Sequence, residues 1–78
     1  MTNRKRRLQE LNWKINNNIA TSAEKLEYME ILHQEGKITD EQLDAYRRGK
    51  NSDAILKTAM VIGGALLVLW ILNELLKK

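Results

Sequence analysis

Apolar residues are concentrated at the end of this chain, where they form one long segment. No residue in the range 58–73 carries a formal charge. A transmembrane helix needs about 20 mostly apolar residues, and residues 54–76 reach that length if Lys57 extends its stem toward the interface. We therefore predict a single C-terminal transmembrane helix over residues 54–76, followed by a short tail at 77–78.

The alternative is that this segment forms a core helix of a soluble bundle. A helix of that kind keeps one polar face, whereas residues 59–72 are apolar on all sides. The 53 residues that precede Ala54 carry only scattered apolar side chains, and they are too few to surround a long helix. The membrane interpretation therefore explains the pattern better.

Positive charges near the two ends of the predicted transmembrane helix indicate its orientation, because lysine and arginine accumulate on the cytoplasmic side. Four such residues closely precede or begin the segment and two follow it: Arg47, Arg48, Lys50 and Lys57 against Lys77 and Lys78. The polar part of the chain also shows no signal peptide. We expect a cytoplasmic N-terminus and an anchor in the inner, or cytoplasmic, membrane.

The polar part of the chain begins with a short amphipathic helix, predicted within residues 1–20. Its apolar positions recur at steps of three or four residues, which places them on one helical face. They are Leu8, Leu11, Ile15 and Ile19. Thr2 or Asn3 is expected to cap the start of this helix. The asparagines at 16–18 favour its end, because asparagine competes for backbone hydrogen bonds and tolerates turns.

A helical hairpin is predicted in residues 21–50 from signals at the helix ends. Thr21 and Glu24 form a capping-box pattern at the first helix, and Gly36 is placed to end that helix in the left-handed conformation. Gly49 is placed to end the second helix, near Arg48. The connection between the two helices is short, so we expect them to fold back on each other.

The start of the second hairpin helix carries the sharpest local signal in the chain. Thr39 and Gln42 form a further capping box, and Ile38 is placed to pack on Leu43 as a hydrophobic staple. Residues 51–53 then supply a linker and a fresh cap. The predicted architecture is all-α: a short amphipathic N-terminal helix, a small helical hairpin and a single C-terminal transmembrane helix.

The hairpin segment, residues 26–50, combines a leucine-periodic helix, a glycine, and a threonine followed by acidic and apolar residues. The positions concerned are Leu26, Met29, Leu32, Gly36, Ile38, Thr39, Glu41 and Leu43. In these features the segment resembles the short C-terminal domain family known as SHOCT. That family usually has phenylalanine at the position of Leu43 and leucines at those of Arg47 and Arg48. The resemblance implies a helical hairpin used for assembly or docking, often in bacterial proteins with membrane segments, and it implies no enzymatic activity.

Charge alternates in blocks along the polar part of the chain. Residues 1–20 carry +4, from five cations and one glutamate; residues 21–45 carry −5, from seven carboxylates and two lysines; and residues 46–57 carry +3, from four cations and one aspartate. The pattern predicts pairing between segments, or docking of the basic blocks on anionic lipid. Contact with nucleic acid is a further alternative. The cations expected to make such contacts are Arg4, Lys5, Arg6, Arg7, Arg47, Arg48 and Lys50.

Small residues within the transmembrane segment predict a contact between membrane helices, because they let backbones approach closely in lipid. A polar asparagine on the same face can add a hydrogen bond across the contact. The predicted contact face consists of Ala59, Gly63, Leu66, Trp70 and Asn73, which follow one another at steps of three or four residues. We expect self-association through this face.

Nothing in the sequence indicates catalysis or cofactor binding. Cysteine is absent, and the lone His33, with Glu30 one turn away, lacks the further ligands that a metal site needs. No serine–histidine–acid set, phosphate-binding loop or redox motif is present. We therefore expect no enzymatic activity, no cofactor, no metal and no small-molecule substrate.

Three classes of function remain, and all of them have the lipid bilayer as a partner. The first is a scaffold that assembles or docks at the membrane, as a homo-oligomer or with another membrane protein. The second is a holin-like or toxin-like protein, of bacterial or phage type, that perturbs the bilayer. The third is a membrane tether for nucleic acid, acting through the basic N-terminal block.

Overall fold

The computed structural model describes residues 4–77, and within that range the chain forms four α-helices and no strands. The helices are α1 Arg4–Asn16, α2 Ser22–Gln34, α3 Asp40–Arg47 and α4 Ser52–Leu76. The all-α expectation, with one long apolar helix at the C-terminal end, is confirmed. The predicted cap at Thr2 or Asn3 lies outside the described residues.

Both predicted capping boxes are present. The Glu24 amide donates to the Thr21 hydroxyl at 3.1 Å, and the Thr21 amide donates to the Glu24 carboxylate at 2.9 Å. The Thr39 pair repeats the arrangement with Gln42, at 3.0 and 2.9 Å. These reciprocal bonds satisfy amides that have no partner inside the helix, and they explain why α2 and α3 begin where they do.

Residues with left-handed backbone separate the helices. Gly36 and Gly49 have φ of +73° and +76°, which are conformations that glycine adopts without the steric penalty of a Cβ. Asn18 has φ of +59° after α1, in agreement with the predicted end at the asparagine run. The chain therefore reverses after each of the first two helices and breaks again between α3 and α4.

The expected side-chain cap of α4 is absent. Asn51 occupies the cap position with φ of +50° and ψ of +36°, and its side chain makes no cap hydrogen bond. A capping asparagine needs an extended backbone to aim its oxygen at the first amides, and the left-handed conformation of Asn51 turns it elsewhere. The prediction of a cap at residues 51–53 is therefore wrong for Asn51, and the helix already begins at Ser52.

One hydrophobic core is shared by all four helices. Its largest fully buried side chains come from α1 and α2: Leu8, Leu11, Tyr28, Met29 and Leu32. Helix α4 contributes Ala59, Leu66 and Leu67 to the same core. Only 22% of the most apolar 18-residue window of α4 is buried, so the first three helices, which we call the head, cover one face of α4 and leave the rest open.

Two contacts define how α1 lies on α4. Lys5, in the first turn of α1, pairs with Glu74 near the end of α4. Asn12 lies two turns later and donates to the Tyr28 hydroxyl at 2.9 Å, and that hydroxyl rests against Gly63 in the middle of α4. Helix α1 therefore runs antiparallel to α4, along the half between Gly63 and Glu74.

Candidate membrane-interaction surface

The side of α4 that faces away from the head is an exposed apolar surface. Its large side chains lie together on one side of the helix, and we call them the apolar strip: Val61, Val68, Leu69, Ile71, Leu72, Leu75 and Leu76. Val61 is 73% exposed and Leu76 is 84% exposed. Contiguous apolar surface of this kind marks a site of interaction with a membrane or with another protein.

The polar residues of α4 are placed around the apolar strip rather than within it. Lys57 is exposed one turn before Val61, on the same side of the helix. Asn73 and Glu74 project from the other side of the helix, where Glu74 meets Lys5. Among the described residues, α4 is the one helix long and apolar enough to cross a membrane, by length and composition.

The opposite face of α4 contains the residues predicted to join membrane helices. Ala59 and Leu66 are buried against the head, Gly63 is buried with them, and Trp70 is partly buried beside the same core. Asn73 is exposed. The structure therefore places four of the five residues against the chain's own head, and the predicted contact with a second copy stays a prediction.

Gly63 allows an unusually close approach between α4 and α2. A Cβ placed on Gly63 would lie 1.8 Å from the Tyr28 hydroxyl oxygen, whereas a Cβ on the neighbouring Gly64 would meet nothing within 4 Å. The two adjacent glycines are therefore very different in their surroundings. A side chain at Gly63 would force Tyr28 to shift, whereas a Cβ at Gly64 would not.

Tyr28 is the central side chain of this contact, and sequence reasoning did not identify it. It is fully buried, and burial raises the pKa of its hydroxyl, while the hydrogen bond from Asn12 acts in the opposite direction. Its spacing of four residues from Leu32 is the signal that could have placed it on the buried face of α2. Its pairing with Gly63 depends on tertiary packing and has no sequence signal.

Cations of α1 pair with carboxylates of α2 and with Glu35, which directly follows α2. Arg4 pairs with Glu35 at 2.5 Å, Arg7 with Glu27 at 2.7 Å and Lys14 with Glu24 at 2.7 Å. Successive cations of α1 pair with carboxylates that come progressively earlier in the sequence, so α1 and α2 run antiparallel and are joined by a series of ion pairs. The predicted pairing between oppositely charged segments is confirmed.

These ion pairs favour the charged form of their carboxylates. The hydrogen bonds from Arg7 lower the pKa of Glu27. The hydrogen bond from Lys14, together with that from the Thr21 amide, lowers the pKa of Glu24. Arg7 also donates to Glu10, and its hydrogen bonds with Glu27 and Glu10 raise the pKa of the Arg7 guanidinium. The α1–α2 interface is therefore strongest when its carboxylates are ionised.

The second basic block is also partly paired. Arg47 reaches Glu30 on α2 at 2.9 Å, and Arg48 meets Asp44 at 3.0 Å. Five of the seven cations predicted to contact lipid or nucleic acid thus bind carboxylates of the chain itself. Arg6 and Lys50 are exposed. An external phosphate would compete with an existing ion pair at most of these positions.

The residues that define the hairpin lie where the sequence placed them. Ile38 and Leu43 are both 6% exposed and belong to the core, and they flank the Thr39–Gln42 capping box. His33 contacts Asp40 at the start of α3, rather than Glu30. Within residues 4–77, no group of three or more histidine, aspartate or glutamate side chains converges on a metal-sized site.

Comparison of the chain with protein-family models, with curated proteins and with solved structures finds no match. The resemblance of residues 26–50 to the SHOCT family therefore stays a prediction.

Proposed function

We propose that this protein is a small single-span membrane protein whose head, α1–α3, lies at the cytoplasmic face and mediates assembly or docking there. The observation that carries this proposal is the apolar strip of α4. Burying a large aliphatic side chain is favourable by about 1.5–3 kcal/mol, and seven such side chains are exposed together on one side of this helix. Hydrocarbon is the environment that would accept all of them at once.

The length of α4 supports a spanning position over a position flat on the surface. Its 25 residues extend over roughly 37 Å at the helical rise, against a hydrocarbon thickness of about 30 Å. A helix that only lies on the interface has one strongly polar face. The covered face of α4 is instead built from small and apolar residues, among them Ala59, Gly63 and Leu66.

The cations at the two ends support a cytoplasmic head. Arg47, Arg48, Lys50 and Lys57 lie before or at the start of the apolar segment, against a lysine pair after it. Orientation follows the number of lysines and arginines near the span and depends little on acidic neighbours. Arg47 and Arg48 therefore still favour a cytoplasmic head, although both are paired with carboxylates.

The organisation of the head favours assembly or docking over perturbation of the bilayer. Two complete capping boxes and a shared core define α1–α3 as a folded unit, which a protein acting only by disrupting the bilayer does not need. The pairing of five predicted contact cations within the chain reduces the charge left for nucleic acid. The scaffold is therefore the function that these observations support best.

The proposal is tested by membrane integration and by topology. The natural chain has no cysteine, so Ser22→Cys and Lys77→Cys each introduce a unique label. We expect the protein in the membrane fraction after alkaline extraction, with an impermeant thiol reagent on intact cells labelling position 77 and not position 22. Labelling at 22 alone would reverse the orientation. Quantitative recovery in the soluble fraction, without detergent, would overturn the proposal.

A further inference from the structure

The docked head and a spanning α4 exclude each other. Helix α1 lies along α4 from the Tyr28–Gly63 contact to the Lys5–Glu74 pair, which is half of the proposed span. If α4 entered the bilayer in this arrangement, the ion pairs between α1 and α2 would enter with it. Charged side chains at that depth are strongly disfavoured. Helix α4 must therefore leave the head before it can span.

Helix α4 is held to the head by a close steric fit at Gly63 and by the Lys5–Glu74 ion pair, which we call the polar clasp. Tyr28 fits against Gly63, where a Cβ would collide with its hydroxyl, and Asn12 holds that hydroxyl in place. At the end of α4, Glu74 meets Lys5 across the helix pair. Because the fit depends on one missing Cβ, a small side chain added at Gly63 should disturb docking, whereas the same change at Gly64 should not.

We propose that the head is an intramolecular cover for α4 that competes with the bilayer for the face containing Ala59, Gly63 and Leu66. This inference rests on the proposed membrane function. In the docked state only the apolar strip is free to adsorb to a membrane. Undocking then releases the second face of α4, and the helix is transferred into hydrocarbon while the head remains in water. The docked chain is thus the form that precedes insertion, in which the face with Ala59, Gly63 and Leu66 is kept from water.

A reversible crosslink between α1 and α4, which we call the lock, tests directly whether a docked head prevents α4 from spanning the membrane. Lys5→Cys and Glu74→Cys, combined in the full chain, place the only two thiols at the polar clasp. A bis-maleimide whose spacer contains a disulfide joins the two thiols, because the side chains of a lysine–glutamate pair are too long for a direct disulfide to replace. The protein with the spacer disulfide intact (the oxidised form) and the protein with the spacer cleaved by a reductant (the reduced form) are then added to vesicles of phosphatidylethanolamine and phosphatidylglycerol. We expect the oxidised form to be removed by alkaline extraction and the reduced form to resist it. The two single-cysteine variants serve as controls and should integrate under both conditions.

The outcomes of the lock separate the two proposals. Equal integration of the oxidised and reduced forms would overturn the cover and leave the membrane function standing. If neither the reduced form nor the unmodified chain integrates, the membrane function is overturned, and the cover falls with it. Integration of the reduced form alone supports both.

The adjacent glycines provide a second, independent measurement. Gly63→Ala introduces the colliding Cβ, whereas Gly64→Ala makes the same chemical change in open space. We expect the rate of integration into the same vesicles to rise about tenfold for Gly63→Ala, the factor that corresponds to a modest overpacking penalty. Gly64→Ala should match the parent. If both substitutions raised the integration rate equally, the increase would be due to helix propensity or apolarity, and the proposal that the head covers α4 would be overturned.

Discussion

The hydroxyl of Tyr28 rests against Gly63, so close that a Cβ on Gly63 would lie 1.8 Å from it. Ala59 and Leu66 are buried in the same core, before and after Gly63 on α4. Glycine is common in membrane helices for reasons of packing in lipid. In this chain Gly63 has a defined partner within the same molecule.

Removal of Tyr28 should therefore loosen the docked state more than removal of any exposed aromatic residue. Tyr28→Ala deletes a fully buried ring, and such truncations typically reduce the free energy of unfolding by about 3–5 kcal/mol. Trp13→Ala is the control, because Trp13 is 60% exposed and should change it by less than about 0.5 kcal/mol. Urea unfolding of the full-length protein, followed by circular dichroism, measures both. Similar losses in the two variants would contradict the central position of Tyr28.

The start of α3 should depend on the Thr39 hydroxyl. Thr39→Ala removes the oxygen that accepts from the Gln42 amide, and the loss of such a cap reduces stability by about 1 kcal/mol. Thr39→Ser keeps the acceptor and should retain most of the parental melting temperature. The comparison is made by thermal unfolding of the full chain. A serine variant as unstable as the alanine variant would show that the methyl group, rather than the cap, matters at this position.

The caps and helix ends could be predicted from the sequence because their determinants are local. Thr39 and Gln42 are three residues apart, and Gly36 needs only its own backbone conformation. Asn51 shows the limit of this reasoning, since an asparagine before a helix is a cap only when its backbone is extended. Asn51 has a left-handed backbone instead, and its position before a helix gives no indication of that.

The position of α4 on the head could not be predicted from the sequence. Charge blocks indicated that α1 and α2 would pair, but they did not identify the pairs, such as Arg7 with Glu27, because any cation suits any carboxylate. The small residues around Gly63 were assigned to a contact between membrane helices. A small-residue face fits a neighbouring helix of the same chain as well as one of another chain, and only the tertiary structure distinguishes them.

The α1–α2 interface should weaken at acidic pH. Two hydrogen bonds from the Arg7 guanidinium lower the pKa of Glu27 below its ordinary value of 4.5. A carboxyl whose pKa is lower in the folded state stabilises the fold above the unfolded-state value, and this contribution is lost as the pH falls through the folded-state value. We therefore expect the melting temperature of the parent to fall as the pH drops below 4.5.

The variant Glu27→Gln isolates this contribution. It should melt at a lower temperature than the parent at neutral pH, and its melting temperature should fall less steeply on acidification. Glu41→Gln, at an exposed position on α3, is the matched control and should keep the parental slope. Circular dichroism melts over the acidic range provide the measurement. An unchanged slope in Glu27→Gln would mean that the Arg7–Glu27 pair does not govern the acid response.

Membrane insertion should depend on the depth of a charge placed in the apolar strip. Val68→Arg puts a cation near the middle of the proposed span, where it opposes insertion by about 2.5–3.5 kcal/mol. Leu76→Arg puts the same cation at the end of α4, where its stem can extend to the interface. We expect the membrane-integrated fraction to fall strongly for Val68→Arg and to stay near the parental value for Leu76→Arg. Equal behaviour of the two variants would argue against a spanning α4.

Self-association in the membrane should use the face that undocking exposes. Once the head has left, Ala59, Gly63, Leu66, Trp70 and Asn73 form the side of α4 that combines a thin backbone surface with a polar side chain. Lipid supplies no hydrophobic force between helices, so association must come from close packing and from polar bonds. Gly63→Ile should therefore weaken association, because a β-branched side chain at this position keeps the two helix backbones apart.

The matched control for this prediction is Val61→Ile, which adds bulk on the apolar strip instead. Crosslinking of the full chain in native membranes separates the two variants, since both should integrate and only Gly63→Ile should lose the crosslinked dimer. Equal loss from both substitutions would mean that the association face is misassigned. If the parent itself forms no dimer, the head must act as a monomeric docking module, and the face around Gly63 serves only to hold α4 before insertion.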